Sequence, residues 1–201
     1  MDYSGRLLLE AIQREALIVL FKGLNNKIDS LNETWQIEDD EILNTLGRGN
    51  STWTVEEIPD DNFYSGTIPS LINASINKYP NCSVICYISE PKRSSDDIGE
   101  NYTDILAVEI MVKSGPYDQS KHEERFHHEQ QSNSRIQKTL DAAHLTILDN
   151  RNLNNTIPDL PAPRVSVGDI FIRTEEKGRG NKWCWQGGSL EYDLDKYISL
   201  A

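Results

Sequence analysis

Between Leu8 and Leu31 the apolar residues Leu8, Ile12, Ala16, Leu20, Leu24, Ile28 and Leu31 recur every three or four positions. At 3.6 residues per turn they line up in one stripe, so the segment is expected to be an amphipathic helix of about 25 residues. Such a helix draws most of its stability from what it packs against, so the chain has to supply a second layer for the stripe to bury. Arg6, Glu10, Arg14 and Glu15 interrupt the apolar N-terminal sequence MDYSGRLLLEAIQREALIVLFKG. It is therefore neither a run of about 20 apolar residues able to cross a bilayer nor a signal peptide.

The second layer is expected to be a sheet. Val84–Ser89 (VICYIS) and Asp104–Lys113 (DILAVEIMVK) are both rich in β-formers, and the polar stretch EPKRSSDDIGENYT joins them as a long hairpin with a loop over Glu90–Thr103. In the second strand Leu106, Val108, Ile110 and Val112 share one face. Ile105, Ala107, Glu109 and Met111 share the other, which is expected to be partly covered as well. SGPYDQ reads as a turn, and Lys121 to Leu148 as a second long helix with the stripe Ile136, Leu140, Ala143 and Ile147.

Smaller elements fill the rest. A short helix is expected where EDDE precedes Ile42, Leu43 and Leu46, with Gly47 ending it. STWTVEEIP reads as a strand, GTIPSLINAS as a turn and short helix, and YPN (Tyr79–Asn81) as a break. DNRNLNNTIPDLPAP is a connector, and two closing strands, RVSVGDIFIRTE and KWCWQGGSLEYDLDKY, flank the loop EKGRGN. The expected fold is α+β: a mostly antiparallel sheet covered by two long helices, with an extended hairpin, in one domain spanning 1–201. Residues 30–61 read as an embellishment and 90–103 as a protruding loop.

Composition limits the function. A formal charge of -12 argues against a protein that grips nucleic acid, because phosphate neutralisation needs clustered Lys and Arg. Cys82, Cys86 and Cys184 are too few for a disulfide framework, which points to synthesis in a reducing cytosol. About six Asn-x-Ser/Thr sequons, such as those at Asn32, Asn50, Asn73 and Asn101, are attributed to chance in a chain rich in those residues.

KHEERFHHEQ, Lys121 to Gln130, holds three of the four histidines. A zinc-protease helix needs its two histidines four places apart, whereas His122 and His127 are five apart and about 140° out of line. Glu123 with His127 and Glu124 with His128 are spaced instead as surface pairs. A restriction-type nuclease would draw on Asp104, Glu109 and Lys113, but its second acid and lysine stand two residues apart and here they stand four apart. GRGNKWCWQGG lacks a phosphate-binding fingerprint, and no G-x-S-x-G elbow occurs. No catalytic residue, metal ligand or cofactor site is expected.

NFYSGTIPSLINASINKYPNCSVICYISEP, then DILAVEIMVKSG, the helix EERFHHEQQSNSRIQKTLDAA and the closing WCWQGGSLEYDLDKY together resemble the tail terminator or tail completion proteins of bacteriophage necks, over roughly two thirds of the chain from Asn62 onward. The resemblance implies a non-catalytic subunit of a ring, usually a hexamer, that caps the tail tube and joins it to the head connector. It further implies contacts with tail tube or sheath protein and with a head connector or adaptor, and a virion location after synthesis in the host cytoplasm. Genome DNA would pass through the lumen without specific binding, and no membrane is involved. Subunit or partner contacts are expected at Lys92, Arg93, Asp96, Asp97 and Glu100 in the hairpin loop, and at Trp183 and Trp185. The alternatives are another head-tail adaptor or sheath-associated assembly protein, and the metal-dependent nuclease.

Overall fold

The N-terminal stripe forms a longer helix than its periodicity predicts. In this computed structural model α1 runs over Ser4–Thr45 without a break, so the short helix expected around Ile42 is the end of α1. The physical reason is the absence of any Pro or Gly between Leu24 and Thr45 to interrupt the hydrogen-bond ladder. Ile12, Ala16, Leu20, Leu24 and Ile28 are completely buried and Leu31 is half-buried. Residues 4–45, 54–65, 82–93, 102–118, 120–174 and 182–194 are described, by backbone alone at 4–8, 39–40, 42–44, 82–93, 102–104 and 171–174. The expected short helix in GTIPSLINAS and the break at Tyr79–Asn81 lie outside them.

Among the described residues six strands form one sheet: β1 (Phe63–Ser65), β2 (Cys82–Arg93), β3 (Tyr102–Tyr117), β4 (Arg164–Val167), β5 (Phe171–Thr174) and β6 (Lys182–Asp193). Their order is β1-β2-β3-β6-β4, with β5 also on β6. Among the described residues only β1 with β2 is parallel, and the other pairings are antiparallel. The second long helix, α2 (His122–Leu148), follows β3. The fold is thus α+β, a mostly antiparallel sheet covered by two long helices.

Both helices lie on one face of the sheet. Leu106, Val108, Ile110 and Val112 of β3, with Leu190 and Tyr192 of β6, share a single core with the α1 stripe and with Ile136, Leu140, Ala143 and Ile147 of α2. Each fully buried Leu or Ile side chain contributes about 1.5–3 kcal/mol, so this one cluster supplies the main driving force. Two glycines mark the closest approaches. A Cβ at Gly23 would lie 2.9 Å from Thr146 Cγ2, where α1 meets α2, and one at Gly188 would lie 2.7 Å from Leu140 Cδ1, where α2 crosses β6. On the opposite face Ile105 and Ala107 are buried, and Glu109 and Met111 half-buried, as the strand's alternation anticipates.

Three expected elements differ. STWTVEEIP is not a strand over its described part, 54–59; it is an irregular segment held by side chains of α1. Asn25 accepts from Ile58 N at 2.9 Å and donates to Ile58 O at 2.8 Å, while Asn32 accepts from Val55 N at 3.2 Å and donates to Val55 O at 3.1 Å. Seven helical residues rise about 10 Å, as do three extended ones, so two asparagines on one helix face match backbone groups three residues apart in an extended chain. The amides take the place of a neighbouring strand, and Val55 and Ile58 are both buried. SGPYDQ is likewise not simply a turn: β3 continues through it to Tyr117, with a register shift between Ser114 and Tyr117 where Gly115 adopts φ 136°. RVSVGDIFIRTE is two strands on the same edge of β6, because three residues, 168–170, face two of β6 between Val167↔Gly188 and Phe171↔Trp185, with Gly168 N still donating to Gly187 O at 2.9 Å.

The asparagine-rich connector has its own logic. Leu153, Asn154 and Asn155 are consecutive left-handed residues, with φ of 45°, 57° and 66°. Asn tolerates this region but leucine rarely does, and Leu153 is held there by complete burial. Asn150 and Asn152 accept from the amides of Asn154 and Asn155 at 3.2 and 3.3 Å, satisfying the turn locally. Asn154 also donates to Glu15 of α1 at 3.1 Å, and Lys27 pairs with Asp149 at 2.6 Å. The connector is thereby fastened to the first helix.

Candidate functional site

The histidine-rich segment opens α2 on its exposed side. His122, Glu123, Arg125, Phe126 and His127 are exposed, and His128 is half-buried. Glu124 does not pair with His128 as its spacing suggests; it accepts from Lys121 at 2.6 Å and from the backbone amide of Asp118 at 3.2 Å. Arg125 pairs with Glu129 at 2.7 Å. His128 stacks on Tyr117 with centroids 5.9 Å apart and meets Gln131 at 3.2 Å. These contacts shift the charged groups in the ordinary direction. Hydrogen bonds from Ser120 hold the Asp118 carboxyl below its usual range, and the bond from Lys121 does the same for Glu124. Among the described residues no group of three His, Cys, Asp or Glu is placed to hold a metal.

The positions required by a nuclease diverge. Asp104 and Glu109 are five residues apart in β3, an odd number, so the pleat assigns the two positions to opposite faces. Lys113 shares the face of Glu109 but is buried, with Nζ 3.7 Å from the centre of the Trp183 ring and 5.1 Å from that of Trp185. Its charge is directed at two indoles, a cation–π arrangement.

Trp183 and Trp185 were expected at a contact surface. Trp185 is buried and stands directly across from Lys113 in the β3–β6 register; Trp183 is half-buried, and its ring lies where a Cβ on Gly115 would come within 3.1 Å. Trp185 is therefore first of all a packing residue of this subunit, and only Trp183 presents part of its ring outward. Between them Cys184 faces the helix side, fully buried, and the Tyr117 hydroxyl bonds to it. Burial pushes its thiol up to about 11, so it stays protonated at neutral pH and is no nucleophile. Cys82 and Cys86 fall opposite Val112 and Val108 in the β2–β3 register.

The hairpin loop is shorter than Glu90–Thr103. After a bulge between Ser89 and Lys92, β2 and β3 pair again at Lys92↔Thr103 and Arg93↔Tyr102. Among the described residues β6 accompanies β3 only as far as Ile105↔Asp193, so there this end of the hairpin is an arm of two strands extending past the third. Lys92 and Arg93 sit at its far end. Asp96, Asp97 and Glu100 lie outside the described residues.

Two further surfaces escaped the sequence reading. Val165 and Val167 are exposed on β4, which among the described residues pairs only with β6. Beside the last turn of α2, a pocket of about 190 Å³ opens between His144, Leu148, Arg151, Leu160 and Tyr192. Its walls come from segments up to 48 residues apart, so no local pattern announces it. No described helix is long and apolar enough to cross a membrane. The sequence matches no model of a known protein family and no curated protein.

Proposed function

We propose that the chain is a structural subunit of a tailed-phage neck, assembling as a ring, a hexamer in the simplest case, that terminates the tail tube and joins it to the head connector. The observation that carries this reading is the two-stranded arm: β2 and β3 run on together to Arg93↔Tyr102 after β6 has ended at Asp193. An arm that leaves the core adds little to the core's own stability and much to reach, which is what a subunit needs to contact tube, sheath or connector proteins above and below its ring. Lys92 and Arg93 would be its partner-facing residues.

The charge distribution supports a passive channel. The sheet face away from the helices carries Glu109, Glu191 and Asp193 in its central strands, against Arg164, which pairs with Glu191 at 3.4 Å, and the buried Lys113. With a formal charge of -12 overall, a lumen lined by this face repels phosphate and lets a duplex slide. The test is mass measurement of the purified protein with negative-stain imaging. Six-fold rings of about 140 kDa, six times 22.9 kDa, are expected, with no retention of duplex DNA at low salt. A monomer that nicks DNA in a magnesium-dependent way would overturn the reading.

A further inference from the structure

α2 carries a protrusion at one end and a recess at the other. At the start, Phe126 is 59% exposed. Glu123 stands three residues before it and therefore on the same face of the helix. The neighbouring charges are already matched, Lys121 with Glu124 and Arg125 with Glu129. Neither of these ion pairs uses Glu123, so the protrusion places a phenyl ring and a carboxylate on one helix face.

At the far end, the 190 Å³ pocket has mainly apolar walls, from Ile147, Leu148, Leu160 and Pro161, and Leu148 at its edge is 41% exposed. The side chains lining it that can carry charge are Arg151 and His144, both basic. Arg151 donates to Leu160 O through Nε at 3.3 Å and Nη2 at 3.0 Å, which anchors the guanidinium and leaves further N–H groups to donate. The recess thus pairs an apolar hollow with a fixed positive charge, the complement of the protrusion.

Between Phe126 and the pocket lie 18 to 22 helical residues, about 27–33 Å of α2. A straight helix cannot fold back over that distance, so a subunit cannot fill its own recess. We propose that Phe126 of one copy seats in the pocket beside Leu148 and Tyr192 of the next copy, with Glu123 facing Arg151. Because the two surfaces differ, the contact is heterologous: it repeats head to tail, and either closes into a ring or runs on as a filament. This deepens the neck-ring reading and rests on it for closure, though not for the contact itself.

Sedimentation velocity of the full chain across a concentration series tests it. The unaltered protein is expected to self-associate, and Phe126→Ala to weaken association by about 30-fold or more, as for a buried aromatic anchor. Phe126 is exposed in the subunit, so thermal unfolding of this variant should match the original. Glu123→Arg and Arg151→Glu should each weaken association, and the two together should restore it. A chain that stays monomeric at its highest soluble concentration overturns the contact, as does association unchanged by Phe126→Ala or a double reversal with no recovery. Rings that survive every variant would leave the neck reading standing and remove this contact. Open filaments abolished by the same variants would keep the contact and remove the ring.

Discussion

The two halves of α2 are equally helical and are held by different physics. From His122 to Gln131 every side chain is exposed or half-buried, and the contacts include ion pairs at the surface. From Ser132 to Ile147 a stripe is buried against β3, β6 and α1, and even its hydroxyls are satisfied inside, Ser132 to Cys184 O and Thr146 to Ala142 O. Density of ionisable residues drew attention to the first half, yet the fold depends on the second. The difference is solvent: an exposed pair exchanges one set of hydrogen bonds for another, while burial removes apolar surface from water irrespective of partner geometry.

That contrast can be broken experimentally, beginning with the largest effect. Leu140→Ala should cost about 2–5 kcal/mol in urea unfolding, since it removes buried methyl groups where α2 crosses β6. Gly188→Ala approaches the same crossing from the sheet: the new Cβ would meet Leu140 Cδ1 at 2.7 Å and Ser166 O at 3.0 Å, and about 1–3 kcal/mol of overpacking is expected in the same measurement. Asn25→Ala, on α1, separates polarity from exposure as the reason a surface pair contributes little. Its two bonds to Ile58 are polar but part-buried, so a loss of about 1–3 kcal/mol is expected, well above any surface pair. Glu129→Gln, by contrast, should leave the unfolding midpoint unchanged within error, because the Arg125 pair is exposed to water.

The smallest effect is one of pH. Asp118 and Glu124 are held below their ordinary values of 3.8 and 4.5, so the folded state binds protons less readily than the unfolded one. Their contribution is present above those ordinary values and is lost as pH falls through the lowered ones. Amide exchange, corrected for its intrinsic pH dependence, should therefore show the first turn of α2 losing protection in acid. The amides from Ile136 to Ile147 should keep theirs.

Much of this architecture is legible in the sequence because periodicity reports burial directly. The stripes of α1 and α2 and the alternating face of β3 each follow from a repeat of 3.6 or 2, and each is buried as the repeat requires. The elements misread are those where a distant partner decides. STWTVEEIP has the composition of a strand, but the groups that satisfy Val55 and Ile58 are side chains on a helix, 23 and 33 residues away. SGPYDQ has the composition of a turn, but β6 lies alongside and pairs again at Tyr117. Of the expected contact residues, Lys92 and Arg93 fall on the arm, while Trp185 is taken up by the subunit's own packing, a fate its flanking residues do not reveal.

The sequence by itself determined the class of fold, the two helices and the face each presents, and the absence of protease spacing among the histidines, because these depend on intervals along one chain. Only the tertiary structure decided where the surfaces are: that Lys113 is directed at indoles, that α2 ends beside a pocket, and that Phe126 is left in water at its other end. Those outcomes depend on which distant residues come to stand side by side, and spacing along the chain carries no record of that.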